Sequence, residues 1–180
     1  MKNIALLVID IQNALVMLEP YDFENVISNI KTLITAFRQF HEEIIYIRHT
    51  EEDGSDFKLQ SDGWELYKDL VPEDNELVIN KYYNSAFRQT NLQSYLRSKQ
   101  IETLVIVGMQ TEYCFDTTCK VAFELGYDVI IPEKTNTTFD NDLLSAKQIY
   151  THYNYYVLNN NFAKVLSIEN VIHLIKRENI

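Results

Sequence analysis

The stretch from Thr103 to Cys119, Thr-Leu-Val-Ile-Val-Gly-Met-Gln-Thr-Glu-Tyr-Cys-Phe-Asp-Thr-Thr-Cys, constrains the fold more than any other part of the chain. Leu104 to Val107 is a short run of large apolar and β-branched residues, the pattern of a strand buried on both faces. Gly108 ends the run and permits a tight turn. Beyond it the apolar positions change to helical spacing, from Tyr113 or Cys114 through Val121, Ala122 and Leu125, and Gly126 marks a C-terminal stop. A buried strand leading directly into a helix is one half of a parallel βαβ unit. Cys114 falls in the first turn of that helix, where unpaired N–H groups and the positive end of the dipole favour a thiolate. On local grounds two readings stay open: a nucleophile, or the small buried hydrophobe that most free cysteines are.

The rest of the chain repeats the alternation. Ile4 to Ile9 reads as the first buried strand, with Asp10 at its end. Val26, Ile27, Ile30, Leu33, Ile34 and Phe37 keep the 3–4 spacing of an amphipathic helix. Glu43 to Arg48 is a second strand ending at His49, and Leu77 to Asn80 a third ending at Lys81. Leu92 and Leu96 mark a helix after Thr90. Asp128 to Ile131 forms a fifth strand and Phe162 to Leu166 a sixth. Asp140 is the expected N-cap of a helix carrying Leu143, Leu144, Ile149 and Tyr153, and Ser167 the cap of a last helix with Val171, Ile172, Leu174 and Ile175. The stretch from Thr50 to Asp74 has no period, and a loop that long in a compact domain is often functional.

These elements predict an α/β fold: a doubly wound, mostly parallel six-stranded sheet in a three-layer, Rossmann-like sandwich, with helices on both faces and right-handed crossovers. The length of 180 residues suits one domain spanning 1–180. In such sheets the ligand site lies beyond the C-terminal ends of the strands, at the switch in strand order. Asp10, His49, Lys81 and the Gly108–Cys114 turn all fall at those ends, so four separate βα turns face one crevice. Taken singly, each of these residues could equally be a solvated loop residue. Together they allow nucleophilic displacement: a thiol, a carboxylate base, and an ammonium to hold both in place. His152 and His173 fall in helices and read as surface or packing residues.

Asp10 in Val-Ile-Asp-Ile-Gln, Lys81 in Val-Ile-Asn-Lys-Tyr-Tyr-Asn-Ser-Ala-Phe, and Cys114 in Val-Gly-Met-Gln-Thr-Glu-Tyr-Cys-Phe-Asp-Thr-Thr resemble the isochorismatase-like cysteine hydrolases. So do Gly63-Trp64-Glu65, Leu125-Gly126-Tyr127 and Thr138-Phe139-Asp140. That family includes nicotinamidase, N-carbamoylsarcosine amidohydrolase, isochorismatase and streptothricin hydrolase. The resemblance implies a catalytic Asp10, Lys81 and Cys114. It further implies a cis peptide between Met109 and Gln110, and an oxyanion hole made by the backbones of Gln110 and Cys114. The reaction it implies is amide or related C–N hydrolysis through a thioester. Nicotinamidases bind a metal through an Asp-x-His pair and further histidines after the second strand. Here that region reads Arg48-His49-Thr50-Glu51-Glu52-Asp53, a poor ligand set, so no metal and no other cofactor is expected. Isochorismatase itself cleaves a vinyl ether without needing the thiol.

Substrate contacts are expected from Gln12, His49, Trp64, Tyr82, Phe87 and Tyr113, an aromatic pocket for a small planar amide. An isochorismatase-type ether hydrolase, and a non-enzymatic redox-sensing or binding domain with a reactive thiol, stay open as alternatives. A net charge of −10, from 26 acidic against 16 basic residues, argues against nucleic acid and anionic membrane as partners. The start Met1-Lys2-Asn3 followed by Ile4 to Ile9 lacks the features of a signal peptide, and the two cysteines read as reduced thiols. A cytoplasmic protein with a small-molecule substrate is therefore expected, assembled as a homo-oligomer, a dimer or tetramer.

Overall fold

The computed structural model describes residues 3–52 and 54–178, with side chains to 176. Met1 and Lys2, from the start read against a signal peptide, and Asp53, from the acidic run after His49, lie outside the described residues. Among the described residues seven strands make one sheet: β1 (Asn3–Ile9), β2 (Glu43–His49), β3 (Leu77–Lys81), β4 (Ile101–Met109), β5 (Asp128–Pro132), β6 (Asn136–Thr137) and β7 (Lys164–Leu166). Their order is β3-β2-β1-β4-β5-β7, every pairing is parallel, and β6 pairs with the end of β4 at Gly108 and Met109. Helices α2 (Phe23–Gln39) and α6 (Ile168–Glu178) cover one face, and α3 (Leu92–Ser98) and α4 (Asp116–Glu124) the other.

Pleating alternates successive side chains between faces, and the core follows that rule. Leu6, Val8, Tyr46, Val105 and Val107 pack with Ile30, Leu33 and Phe37 of α2 and Val171 and Ile175 of α6. Leu7, Ile9, Ile45, Leu104 and Ile106 pack with Leu92 and Leu96 of α3 and Cys119 and Ala122 of α4. This is why β1, β2 and β4 read as unbroken apolar runs: both sides of each strand are buried. Cys119 is a core residue of the second layer.

The sheet departs from the expected six strands by the addition of β6. Asn136 and Thr137 carry no apolar signal, yet both are buried, and they continue the β4 edge that β5 leaves after Ile130. The last strand is also shorter than Phe162 to Leu166, beginning at Lys164. The helix expected from Asp140 starts later. Asn141 Oδ1 accepts from the N–H groups of Leu143 and Leu144, a local turn that competes with helix. Helix α5 (Ala146–Thr151) is instead capped by Ser145 in a reciprocal capping box with Gln148, leaving Leu143 90% exposed. Asp140 still reaches it, accepting from the Ala146 N–H at 2.7 Å. Ser167 caps α6 as expected, accepting from the Asn170 N–H.

Strand order reverses between β1 and β4, the point at which a doubly wound sheet opens a crevice. The two strand ends are pressed together there. Gly108 has φ +126, and a Cβ on it would lie 2.0 Å from the Ile9 carbonyl oxygen, so only glycine fits.

Candidate active site

Each strand that borders the crevice ends on a polar residue or is followed by one. Asp10 follows β1 with φ 51, in the left-handed region, and is fixed by its N–H donating to the Ile47 carbonyl at 3.0 Å. His49 and Lys81 are the last residues of β2 and β3, paired in register as neighbours. After β4 the Met109–Gln110 peptide is cis, and the chain enters a π-helical turn, Thr111–Phe115, that runs into α4. Cys114 therefore sits in a wider turn than the α-helical start that its spacing suggests.

Lys81 is the hub. Its side chain is 0% exposed, and its ammonium lies 2.7 Å from Asp10 Oδ2, 3.2 Å from Cys114 Sγ and 3.2 Å from His49 Nδ1. Three donors meet three acceptors, which is what makes a fully buried lysine tolerable. Burial is the largest single influence on Lys81 and favours losing the proton. The charges on Asp10 and the sulfur together outweigh it and hold the amine above its ordinary range.

Burial pushes the Cys114 thiol up to about 12, the neighbouring Asp10 adds to that, and Lys81 opposes it. This corrects the expectation from helix position alone. Desolvation beside a carboxylate outweighs the first-turn dipole, so the resting sulfur is a thiol that needs a base. Asp10 Oδ1 is buried without a hydrogen-bond partner among the described residues. Asp10 and Cys114 line a cavity of about 140 Å³, together with Leu15, His49, Phe57, Gln110 and Tyr113. Asn84 Oδ1 lies 3.9 Å from the sulfur.

Of the expected pocket residues, His49 and Tyr113 line this cavity and four do not. Gln12 is buried as a structural clamp: it accepts from the His49 N–H at 2.7 Å and donates to the carbonyls of His49 and Trp64. Trp64 is buried beneath the Arg48 guanidinium, 3.2 Å from its ring centre, and its indole N–H donates to Thr50 Oγ1. Phe87 stacks on Tyr127 in the second core layer. Tyr82 is 58% exposed. The cavity walls that the sequence did not disclose are Leu15, from the single turn α1 (Asn13–Val16), and Phe57, from the long loop without a period. Phe57 packs its edge against the His49 ring.

In the turn after β4, the N–H groups of Tyr113 and Phe115 are committed to the Gln110 carbonyl. Thr111 Oγ1 donates to Asn136 Oδ1 at 2.8 Å. Asn136 and Asn154 exchange amide hydrogen bonds at 2.8 and 2.9 Å, so the turn is tied to β6 and to a second π-helical turn, His152–Leu158. Nothing in the spacing of these asparagines announced that network.

Asp10, His49 and Cys114 bring a carboxylate oxygen, a ring nitrogen and a sulfur within 4.8 Å of one another. That donor set is soft enough for a transition metal, but the Lys81 ammonium is bonded to all three residues. A divalent ion at the same place would face the fixed positive charge of Lys81, so this cluster does not fit a metal ion.

The isochorismatase domain family matches residues 4–170. An uncharacterised isochorismatase-family protein of Bacillus subtilis is 28% identical over 176 residues, covering 94% of each chain. Nicotinamidase 3 of Arabidopsis thaliana is 28% identical over 161 residues, covering 81% of this chain and 78% of its own. Among solved structures, an isochorismatase family protein superposes with a TM-score of 0.85 at 35% identity, covering 93% of this chain and 99% of that one. With this sheet order and this cluster at its switch point, the match over nearly the whole sequence makes the chain a member of the isochorismatase family of hydrolases.

Proposed function

We propose that the protein hydrolyses a small amide or related C–N compound, with Cys114 as nucleophile, Asp10 as proton carrier and Lys81 as the fixed charge between them. The observation that carries this reading is a single buried ammonium, that of Lys81, bonded at 2.7 Å to Asp10 Oδ2 and at 3.2 Å to the Cys114 sulfur, with Asp10 and Cys114 both lining one cavity.

The steps balance without any other reactant. The Cys114 proton moves to Asp10 as sulfur bonds to the amide carbon, and the carbonyl π pair moves onto oxygen. The backbone N–H groups of Gln110 and Cys114 are the donors assigned to that oxyanion. Collapse re-forms the carbonyl and breaks the C–N bond, and the leaving amine takes the proton from Asp10. A water then gives a proton to Asp10 and attacks the thioester, the S–C bond breaks, and the sulfur recovers the proton as the acid departs. Lys81 stays charged throughout and opposes the build-up of negative charge on Asp10 and sulfur.

The cavity suits a small substrate. A site of about 150 Å³ accommodates a benzene-sized molecule, and the walls Leu15, Phe57 and Tyr113 favour a flat or apolar acyl part. That a similar protein is named nicotinamidase 3 agrees with amide chemistry. Both cysteines are free, in keeping with a reducing, cytoplasmic setting.

The test is ammonia or amine release over a panel of small primary amides, carbamoyl compounds and lactams, with pyruvate release from isochorismate run alongside. The expected result is turnover of at least one C–N substrate. Cys114→Ser should abolish it, and hydroxylamine should trap an acyl group from Cys114. Turnover of isochorismate alone, or undiminished amide turnover by Cys114→Ser, would overturn the proposal.

A further inference from the structure

His49 shares the cavity with Asp10 and Cys114, and the triad leaves it unassigned. Its ring makes two polar contacts: Nδ1 lies 3.2 Å from Lys81 Nζ, and Nε2 lies 3.2 Å from Glu51 Oε1. An ammonium carries donors and no acceptor, so Nδ1 facing it must be the bare, accepting nitrogen. The ring proton is then on Nε2, donated to Glu51. Glu51 is held in turn by the Ser55 hydroxyl and by a bridge between its backbone and Lys58. Phe57 packs edge-on against the ring, and Gln12 clamps the backbone of His49 on both its N–H and its carbonyl. Tautomer, ring plane and backbone are thus all fixed by named neighbours.

We propose that His49 is a positioning residue for the reaction. Its bare Nδ1 takes the third N–H of Lys81 and so aims the other two at Asp10 Oδ2 and the Cys114 sulfur. A lysine is a flexible point charge on a four-carbon stem, and two acceptors leave it free to swing about the line joining them. The third acceptor removes that freedom and occupies the one N–H that would otherwise compete for the substrate carbonyl. The long loop without periodicity supplies Glu51 and Phe57, which orient the imidazole. The inference rests on the reading of Cys114 and Lys81 given above.

The tautomer is read directly on the wild-type protein. In a long-range ¹H–¹⁵N spectrum near pH 8, the His49 ring should show Nε2 protonated and Nδ1 bare. A proton on Nδ1 would overturn the proposal outright. The second measurement is the rate of Cys114 alkylation by iodoacetamide at pH 8.5, which needs no substrate and tracks the thiolate that Lys81 favours. Loss of the aimed ammonium should slow His49→Leu by about threefold to tenfold, a tenfold change corresponding to one unit in the thiol's pKa. His49→Asn, whose amide oxygen can stand near the place of Nδ1, should remain within about twofold of wild type. In a Lys81→Met background, His49→Leu should cause no further change if it acts through Lys81. An equal effect in both backgrounds would mean that His49 only shapes access to the sulfur, and would sink the idea. Should Lys81→Met fail to fold, the tautomer and the contrast between Asn and Leu decide the matter. Turnover and acyl trapping report separately on the nucleophile, so failure of the hydrolase reading is distinguishable from failure of this one.

Discussion

Asp10 acts on the sulfur in two opposite ways, and one substitution separates them. Its negative charge helps to keep the Cys114 thiol protonated, while in the proposed mechanism its carboxylate is the base that takes the thiol's proton. Asp10→Asn removes the charge and keeps the shape. Alkylation of Cys114 at pH 8.5 should therefore become faster than in wild type, because the thiol ionises at lower pH. Hydrolysis should fall by about 10²–10⁴-fold for want of a base. Slower alkylation together with unchanged turnover would contradict both roles. Cys119, sealed in the core with its thiol pushed well above the usual range, should stay unmodified in either protein and serves as internal control. The sequence disclosed Asp10, Lys81 and Cys114 because strand ends are legible and the sheet delivers whatever stands on them to one crevice. It was a poor guide to partner choice. Gln12, Trp64 and Phe87 looked available because they flank the crevice in sequence, and tertiary contacts with His49, Thr50 and Tyr127 consume them. Burial of the thiol beside a carboxylate was equally invisible to an argument from helix position.

Two π-helical turns meet at the back of the site, and the Asn136–Asn154 pair locks them together. One turn carries Cys114, and the other follows α5. Asn154 also donates to the Tyr150 carbonyl, and Asn136 accepts from Thr111, so every polar atom of the pair's inner edge is used. Asn154→Ala would leave the Asn136 amide without its reciprocal partner in a fully buried place. The expected loss is about 2–4 kcal/mol of stability, from the orphaned amide and the void together. Because Thr111 starts the turn that presents Cys114, turnover should fall further than the folded fraction does, measured well below the melting temperature. Normal turnover in a destabilised but folded variant would show the network to be packing alone. Apolar patterning cannot reveal such a lock, since it is polar on every member. The same blindness hid β6, whose two residues are an asparagine and a threonine, and moved the start of α5, where the Asn141 turn and the Ser145 box override the leucines that follow Asp140. The strands β1, β2, β3 and β5 were read to within a residue, β4 was read three residues short at its start and two at its end, and the elements held by side-chain hydrogen bonds were missed or displaced.

At the scale of the whole molecule, the buried thiols and amine link stability to alkaline pH. A group whose folded-state pKa lies above its unfolded one keeps its proton better when folded. Stability then falls as pH rises from the unfolded value toward the folded one. For Cys114 that interval runs from an ordinary thiol value of 9.0 up to about 12. Cys119 and Lys81 are shifted in the same direction and add to the same slope. Below pH 8 none of them should contribute any slope. Urea midpoints at pH 8 and pH 10.5, with reductant present, test the attribution. Wild type should lose stability between the two, and Cys114→Ser, whose hydroxyl does not ionise in this range, should lose distinctly less. Equal losses would mean that the folded thiol titrates near its ordinary value. The sulfur would then be far less desolvated than its place between Asp10 and Lys81 requires, and the need for a base to activate it would go with that.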